Sequence, residues 1–149
     1  MILLEPIGTV ETPFQTLSEA PSQGFLEEHR GTISLRSPLA HAVEGLSEGQ
    51  LVDVVWYANG ADRSLLRLDD GNKGVFASRS QDRPNPIAIT RCRIRAVDGD
   101  EIEVEGVDML DGTPVVDIKP AFTGPGQERT PTAPEPRSGQ NAPDRKSVV

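Results

Sequence analysis

Short runs rich in apolar residues recur along the chain from Met1 to about Phe122, and in Thr90–Val97 and Glu101–Val107 polar residues alternate with them at a period of two, as in half-buried β-strands. Glycine, proline, asparagine and aspartate separate these runs, so the pattern predicts strands joined by turns. The predicted strands are Ile7–Val10, Thr32–Leu35, Leu51–Tyr57, Val75–Ala77, Ile87–Val97, Glu101–Val107 and Val115–Ile118. Because strands and helices do not alternate, a doubly wound parallel sheet is not expected. The spacing predicts a mainly β fold, an antiparallel barrel or sandwich.

One predicted hairpin can be given a register. Small and apolar residues alternate with arginines in Thr90–Val97, and apolar residues alternate with glutamates in Glu101–Val107. A three-residue loop at Asp98–Asp100 puts both apolar sets on one face, whereas a two-residue loop would place arginines opposite apolar residues. The expected pairs across the hairpin are Arg95 with Glu103 and Arg93 with Glu105.

The arginine stripe of this hairpin has two interpretations. It could form a track for RNA, or it could form ion pairs across the strands on a solvent-facing surface, each worth a few tenths of a kcal/mol. The matching glutamates favour the ion pairs. Ile87 and Ile89 have the opposite parity to Cys92 and Ile94, so we expect a bulge near Thr90–Arg91.

Helical signals are scarce. Ser37 and Pro38 form an N-cap followed by a first-turn proline, and Leu39, Val43 and Leu46 then share one face. Glycine at position 45 or 49 would end this segment. One short helix is therefore expected.

The chain changes character after Phe122. Residues 1–122 are expected to form one folded domain, and the proline- and glycine-rich residues 123–149 form a tail. The N-terminus has neither a basic region nor a long apolar stretch, so no signal peptide or membrane span is expected. These features predict a cytoplasmic protein.

The composition limits the kinds of binding site that the chain can form. The formal net charge is −8 and the pI is near 4.7, which argues against strong non-specific nucleic-acid binding. The chain has a single cysteine, Cys92, so an internal disulfide is impossible. We interpret Cys92 as a small core residue. With only two histidines besides it, a usual zinc site is not expected, and no other metal site is predicted.

Residues 74–87 have the highest density of charged and polar side chains that could bind a ligand, namely Arg79, Asp82, Arg83 and Asn85, and they include two stiffening prolines, Pro84 and Pro86. Such a loop is suited to binding a carboxylate, because the arginine guanidinium is planar and always charged. It could equally be a proline turn with solvated charges.

Two further segments have a functional and a structural interpretation. The Asp111–Pro114 turn could bring its glycine backbone close to a ligand, although a plain turn before a strand is the commoner case. Trp56 and Tyr57 could flank a cationic ligand with their rings, but core aromatics are commoner.

Taken together, these segments resemble one protein family, the YaeB/TsaA-like proteins, also called the tRNA threonylcarbamoyl-adenosine methyltransferase family. The resemblance covers nearly all of residues 1–122, with its motifs in the family's order. The matching segments are Pro6–Val10, Thr12–Phe14, Arg79–Ser80, Arg83–Ile87, Asp111–Val115 and Asp117–Pro120.

The resemblance implies a single-sheet antiparallel β-barrel with one or two short helices, a homodimer, and S-adenosyl-L-methionine as cofactor. It also implies methylation of the exocyclic nitrogen of threonylcarbamoyl-adenosine beside the tRNA anticodon. Asp111 or Asp117 is a candidate proton acceptor. Cofactor contacts carried over from the family fall on Pro21, Ser22, Gln23, Tyr57, Ala58, Arg79, Ile89, Asp111, Gly112, Thr113 and Pro114.

The chain departs from the family pattern at several positions. Ser22 stands where the family usually has arginine, Ala88 where it commonly has glycine, and Trp56–Ala58 where many members have an aromatic-histidine stretch. The second C-terminal domain of longer members is not expected. Two alternatives therefore stay open: a non-enzymatic sensor or scaffold that binds the cofactor, and a methyltransferase with an acceptor other than tRNA.

Overall fold

The computed structural model describes residues 1–21, 28–69 and 72–122, so the predicted tail lies outside the described residues. Most of the regular structure is β-sheet, and the strands number six in that part of the chain. They are β1 (Gly8–Glu11), β2 (Arg30–Leu35), β3 (Leu51–Tyr57), β4 (Ile87–Asp98), β5 (Glu101–Glu105) and β6 (Thr113–Pro120). Within the same described ranges, short 3₁₀ elements cover Ser37–Val43 and Val75–Ala77.

The strands close into one antiparallel barrel, as expected. Their order around the barrel is β1-β2-β5-β4-β3-β6, and β6 pairs back onto β1. Alternate residues face inward and form the core, with Val10, Ile33, Val54, Ile94 and Val104 fully buried. The period of two thus arises because successive side chains of a strand point alternately into the core and out to solvent.

The two ends of this barrel differ. Because all neighbouring strands are antiparallel, the long β1–β2, β3–β4 and β5–β6 connections leave the barrel at the same end, which we call the loop end. The opposite end, the hairpin end, carries the β4–β5 turn and the 3₁₀ helix Ser37–Val43. None of the helices in the described ranges is long and apolar enough to cross a membrane.

The β4–β5 hairpin corrects the predicted register. Arg93 lies opposite Glu105, as expected, but the register then shifts and Ala96 lies opposite Glu103. Arg95 sits in this bulge and reaches back to Glu105, with Nη2 2.6 Å from Oε1. The extra residue permits a two-residue turn, Gly99–Asp100, and still keeps the apolar sets of both strands inside.

Two other local predictions were wrong. Val75–Ala77 is a 3₁₀ turn and not a strand. The bulge expected near Thr90–Arg91 is absent, because the register between β3 and β4 runs without a shift from Leu51 to Tyr57. Ile87 and Ile89 are instead exposed by 39% and 49% on the outer face.

The short helix forms where it was predicted, but its cap differs. Ser37 is the first residue of the 3₁₀ helix, Arg36 holds the N-cap position, and no side chain caps the helix. Pro38 occupies the first turn, and the helix ends before Gly45, whose φ of 98° suits glycine.

Close approach of β1 to β2 explains Gly8. A Cβ at this position would lie 2.1 Å from the backbone oxygen of Ser34 and 2.9 Å from the Cα of Leu35. We expect Gly8→Ala to lower the free energy of unfolding by about 1–3 kcal/mol, because strand backbones cannot move aside cheaply. Gly74→Ala is the matched control, since its Cβ would meet only the oxygen of Leu66 at 3.5 Å. Equal urea midpoints for the two variants would contradict this expectation.

Candidate functional site

A cleft of about 860 Å³ opens at the loop end of the barrel. That size lies within the range of about 300–1,000 Å³ usual for small-molecule sites. Its walls come from the β1–β2 connection, the end of β3, residues 78–83, the first half of β4, and Asp108 after β5. The cleft therefore combines residues from the whole length of the folded domain.

The arginine-rich loop is held by its own hydrogen bonds. The Arg83 Nη1 group donates to the carbonyl oxygens of Ser78 and Ser80, at 3.1 and 2.7 Å. The Ser78 and Ser80 hydroxyls in turn accept backbone N–H groups two residues further on. Arg83 therefore makes structural contacts within its own loop.

A second arginine holds the loop from outside. The Nε of Arg63 donates to the carbonyl of Pro84 at 2.7 Å, and its Nη2 donates to the Asn85 side chain at 3.3 Å. Before it, the carboxylate of Asp62 accepts both the N–H and the hydroxyl of Ser64, which lowers the pKa of Asp62. This role of Arg63 was not predicted, because its partners lie about twenty residues away in a non-periodic segment.

The first half of β4 presents its backbone to the cleft. Ala58 N–H bonds to Pro86 O at 2.8 Å, and hydrogen-bonded pairs alternate along an antiparallel ladder. The N–H and C=O of Ile89, opposite Val55, therefore point away from β3. Because β5 pairs only with the second half of β4, this edge is open among the described residues, and Arg79 Nη2 reaches the Ile89 carbonyl at 3.3 Å.

A chain of hydrogen bonds crosses the floor of the cleft. The indole Nε1 of Trp56 donates to Thr90 Oγ1 at 2.9 Å, and Thr90 Oγ1 donates to Asp108 Oδ1 at 2.6 Å. Trp56 and Thr90 are buried inside the barrel, and Asp108 is half-buried. An indole N–H only donates, so Thr90 Oγ1 is the acceptor of the first bond.

The structure brings together three of the predicted cofactor contacts, since Pro21, Arg79 and Ile89 all line the cleft. Ser22 and Gln23 lie outside the described residues. Tyr57 is the last residue of β3 and Ala58 follows it, but neither lines the cleft. Tyr57 faces the other side of the strand from Trp56, and Ala58 is buried in the core.

The Asp111–Pro114 turn lies at the same end of the barrel but does not line the cleft in the single chain. The N–H of Thr12 donates to the Asp111 carboxylate at 3.0 Å, and Gly112 N–H bonds to Val10 O, so the turn packs against the end of β1. Its segment reaches the cleft through Asp108 instead, a residue that the sequence did not single out.

The other carboxylate candidate is placed elsewhere. Asp117 lies on β6, 3.2 Å from Lys119 Nζ, and lines a separate cavity of about 640 Å³ at the hairpin end. The fold thus separates Asp117 from the cleft, so its assignment as a proton acceptor has no support in this geometry.

The core interpretation of Cys92 is correct. Its side chain is fully buried, and burial, followed by the charges of Asp108 and Asp53, raises the pKa of its thiol to about 12. A thiol in this state is not a nucleophile.

The arginine stripe forms structural contacts. Arg91 pairs with Asp53 at 3.3 Å, Arg93 donates to Gly49 O, and Arg95 pairs with Glu105. Ion pairing on the outer face was the favoured interpretation, and it holds for Arg91 and Arg95.

Residues 9–124 match the family of tRNA-methyltransferase O (TrmO) N-terminal domains. The chain belongs to this family. The resemblance noted from the sequence motifs is therefore confirmed for most of the folded domain.

Individual relatives agree with the TrmO assignment. The chain is 42% identical over 119 residues to a probable S-adenosyl-L-methionine-binding protein of Halobacterium salinarum, covering 78% of this chain and 96% of that protein. It is 37% identical over 131 residues to the tRNA (adenine(37)-N6)-methyltransferase of Mus musculus, covering 80% of this chain but 30% of that enzyme.

Solved TrmO structures share the barrel. One superposes with a TM-score of 0.73 at 31% identity, over 90% of this chain and 65% of that one. The TrmO of Pseudomonas aeruginosa gives a TM-score of 0.71 at 32% identity, over 87% of this chain and 61% of that one. This chain thus spans somewhat less than two thirds of these TrmO chains.

Proposed function

We propose that this protein binds S-adenosyl-L-methionine in the loop-end cleft and transfers its methyl group to an adenosine of tRNA. The observation that carries the proposal is the cleft itself, in which an exposed arginine, an open backbone edge and a carboxylate converge on one site. Membership of the TrmO family, with relatives named for both cofactor and reaction, supports it.

The residues of the cleft fit this cofactor. Arg79 is exposed, and its one hydrogen bond within the described ranges is a weak one to the backbone at 3.3 Å, so its guanidinium can take the cofactor's carboxylate. The Ile89 backbone edge suits the adenine edge, which needs a donor and an acceptor side by side. Leu17, Ala20 and Ile87 add apolar walls for the ring and ribose faces.

The bound cofactor supplies a methyl group on a positively charged sulfur, ready for in-line displacement. The protein's task is then to orient the two reactants and to exclude water. Arg83 and Arg63 hold the loop that carries Arg79, and Trp56 closes the barrel interior behind the cleft. No protein nucleophile is needed for such a transfer.

We propose that the acceptor is the exocyclic nitrogen of threonylcarbamoyl-adenosine at the anticodon loop. Support comes from the family resemblance and from the mouse relative named for adenine 37. The net charge of −8 limits general RNA affinity, so recognition of the tRNA has to rest on a local site such as the arginines that line the cleft.

We also propose that the protein works as a homodimer. Ile89, Leu17 and Phe76 are exposed by 49%, 63% and 80%, and the first two line the cleft beside the open edge of β4. A second copy covering this region would bury apolar surface, and it could bring its own Asp111–Pro114 turn to the cleft. Sedimentation equilibrium should show a dimer; a monomer at micromolar concentration would refute this part.

A non-enzymatic role is the second candidate. The Halobacterium salinarum relative, which this chain covers almost fully, is named for cofactor binding and not for a reaction. A sensor would use the same cleft, so cofactor binding alone does not separate the two functions.

Titration with S-adenosyl-L-methionine tests the proposal. At a hundredfold excess over the dissociation constant, we expect the ligand to stabilise the fold by about 2.7 kcal/mol, seen as a raised melting temperature. No stabilisation at millimolar ligand would refute the proposed cleft. Nucleoside mass spectrometry of tRNA incubated with protein and cofactor then separates enzyme from sensor, with tRNA that carries threonylcarbamoyl-adenosine compared against tRNA that carries plain adenosine.

A further inference from the structure

The loop that carries Arg79 is tied to the rest of the fold near its end, where Pro84 and Pro86 lie. Proline has no backbone N–H, so the backbone at these two positions can be tied only through its carbonyl oxygens. Ala58 N–H donates to Pro86 O at 2.8 Å, and Arg63 Nε donates to Pro84 O at 2.7 Å. Both carbonyls are therefore bound by the short segment that follows β3.

Two further hydrogen bonds join the same two segments. Arg63 Nη2 donates to the Asn85 side chain at 3.3 Å, and the N–H of Asp62 donates to the Asp82 carboxylate at 2.8 Å. A guanidinium is planar and rigid, so two bonds from one guanidinium fix orientation as well as distance. Arg63 thus holds residues 84 and 85 in place from outside the loop.

The contact at residue 84 reaches Arg79 through its neighbour in the chain, Arg83. The Arg83 guanidinium donates to the carbonyls of Ser78 and Ser80, which lie on either side of Arg79. Within the described ranges, the Arg79 side chain makes one weak hydrogen bond, at 3.3 Å. Its position therefore depends on its backbone, and a chain of contacts that passes through residue 84 holds that backbone.

This arrangement bears on binding because ordering a loop opposes association. If the loop were loose in the free protein, part of the interaction energy with a ligand would be used to order it, and the affinity would fall. A loop that is already held avoids this loss. The effect should be confined to the ligand group that Arg79 binds, which in the proposed complex is the carboxylate of S-adenosyl-L-methionine.

We propose that Arg63 is a positioning residue for the carboxylate end of the cofactor, because it fixes the backbone that carries Arg79 before the ligand arrives. This inference rests on the proposed function and deepens it. It gives a residue outside the cleft lining a role in binding one particular end of the ligand.

The test compares two ligands by isothermal titration calorimetry: S-adenosyl-L-methionine and its decarboxylated form, which keeps the adenosine, the sulfonium and the amine. We expect Arg63→Ala to weaken binding of the cofactor about tenfold, or about 1.4 kcal/mol, and to leave the affinity for the decarboxylated ligand near the wild-type value. Arg93→Ala is the matched control. It also removes an arginine that donates to a backbone carbonyl, Gly49 O at 2.9 Å, but near the hairpin end, so both affinities should stay unchanged.

A double-mutant cycle needs only the cofactor. In Arg79→Ala the side chain that Arg63 positions is gone, so adding Arg63→Ala should weaken binding little further. Arg63→Lys keeps one donor for Pro84 O but loses the planar fork, so it should restore part of the affinity. This conservative variant also carries the comparison of the two ligands if Arg63→Ala does not fold.

The outcomes separate this inference from the proposed function. If the wild-type protein does not bind S-adenosyl-L-methionine, the proposed function fails and this inference fails with it. If the wild type binds the cofactor and Arg63→Ala binds it as tightly as Arg93→Ala does, only the inference is overturned. Equal losses for the two ligands, or additive losses in the cycle, overturn it as well, because Arg63 would then support the cleft as a whole.

Discussion

Replacing Trp56 by alanine is expected to lower the free energy of unfolding by about 3–5 kcal/mol, the usual cost of removing a large core aromatic. The side chain is 7% exposed and packs inside the barrel at the end of β3. Its loss would open a void next to the cleft and would take away the donor that orients Thr90. Equilibrium urea unfolding measures the effect, with an unchanged m-value showing that the unfolded state is not altered.

Two control variants separate packing from the hydrogen bond. Trp56→Phe keeps most of the ring and removes the N–H, so it should cost much less than the alanine variant. Tyr57→Ala removes a large aromatic from the next position of the same strand, where the side chain is only half-buried on the outer face. If Tyr57→Ala were as destabilising as Trp56→Ala, the inward position of Trp56 would not be the cause.

Much of the fold could be predicted from the sequence because each strand of a barrel has one face in the core and one face in solvent. The burial of side chains alternates without a break along Leu51–Tyr57, and the predicted strand has the bounds of β3. Alternation reports only the parity of residues, however, and cannot show where an extra residue enters. The extra residue at Arg95 keeps the apolar residues of both strands inside although the turn has only two residues. A three-residue loop without a bulge would place the same residues inside, so the sequence pattern could not distinguish the two.

The short apolar run Val75–Ala77 shows a second limit. Three residues are too few to distinguish a strand from a turn, and its contacts decided the outcome. Val75 N–H bonds to the carbonyl of Leu66, and the chain then turns so that Ser78 N–H bonds back to Val75 O.

The sequence located the part of the cleft whose residues lie close together in the chain, and it missed the part that depends on closure of the barrel. The Arg79 loop was found because charged residues and prolines are dense in one segment. Thr90 and Asp108 were not, because each looks ordinary in its own strand or turn and they meet only through tertiary folding. Asp111 was assigned to the cofactor site, yet in the single chain the closed sheet places its turn against β1.

Reversing the charge of Arg79 should have the largest effect on ligand binding. We expect Arg79→Glu to weaken the affinity for S-adenosyl-L-methionine about a thousandfold, because placing like charges together costs several kcal/mol. Calorimetry or a thermal-shift titration measures this loss. The fold itself should be little changed, since Arg79 is exposed and, in the part of the chain that the structure describes, makes one weak bond, at 3.3 Å, to the backbone of Ile89.

Two further variants separate the effects of side-chain geometry and of net charge on the affinity lost in Arg79→Glu. Arg79→Lys keeps the charge but loses the planar fork, so an intermediate loss would show that two-point binding of a carboxylate matters as well as charge. Lys73→Glu makes the same change in net charge at an exposed position outside the cleft lining, and it should leave the affinity near the wild-type value. If both glutamate variants weakened binding equally, the overall field of this acidic protein would be responsible. A selective loss in Arg79→Glu would place the cofactor's carboxylate at the rim of the cleft.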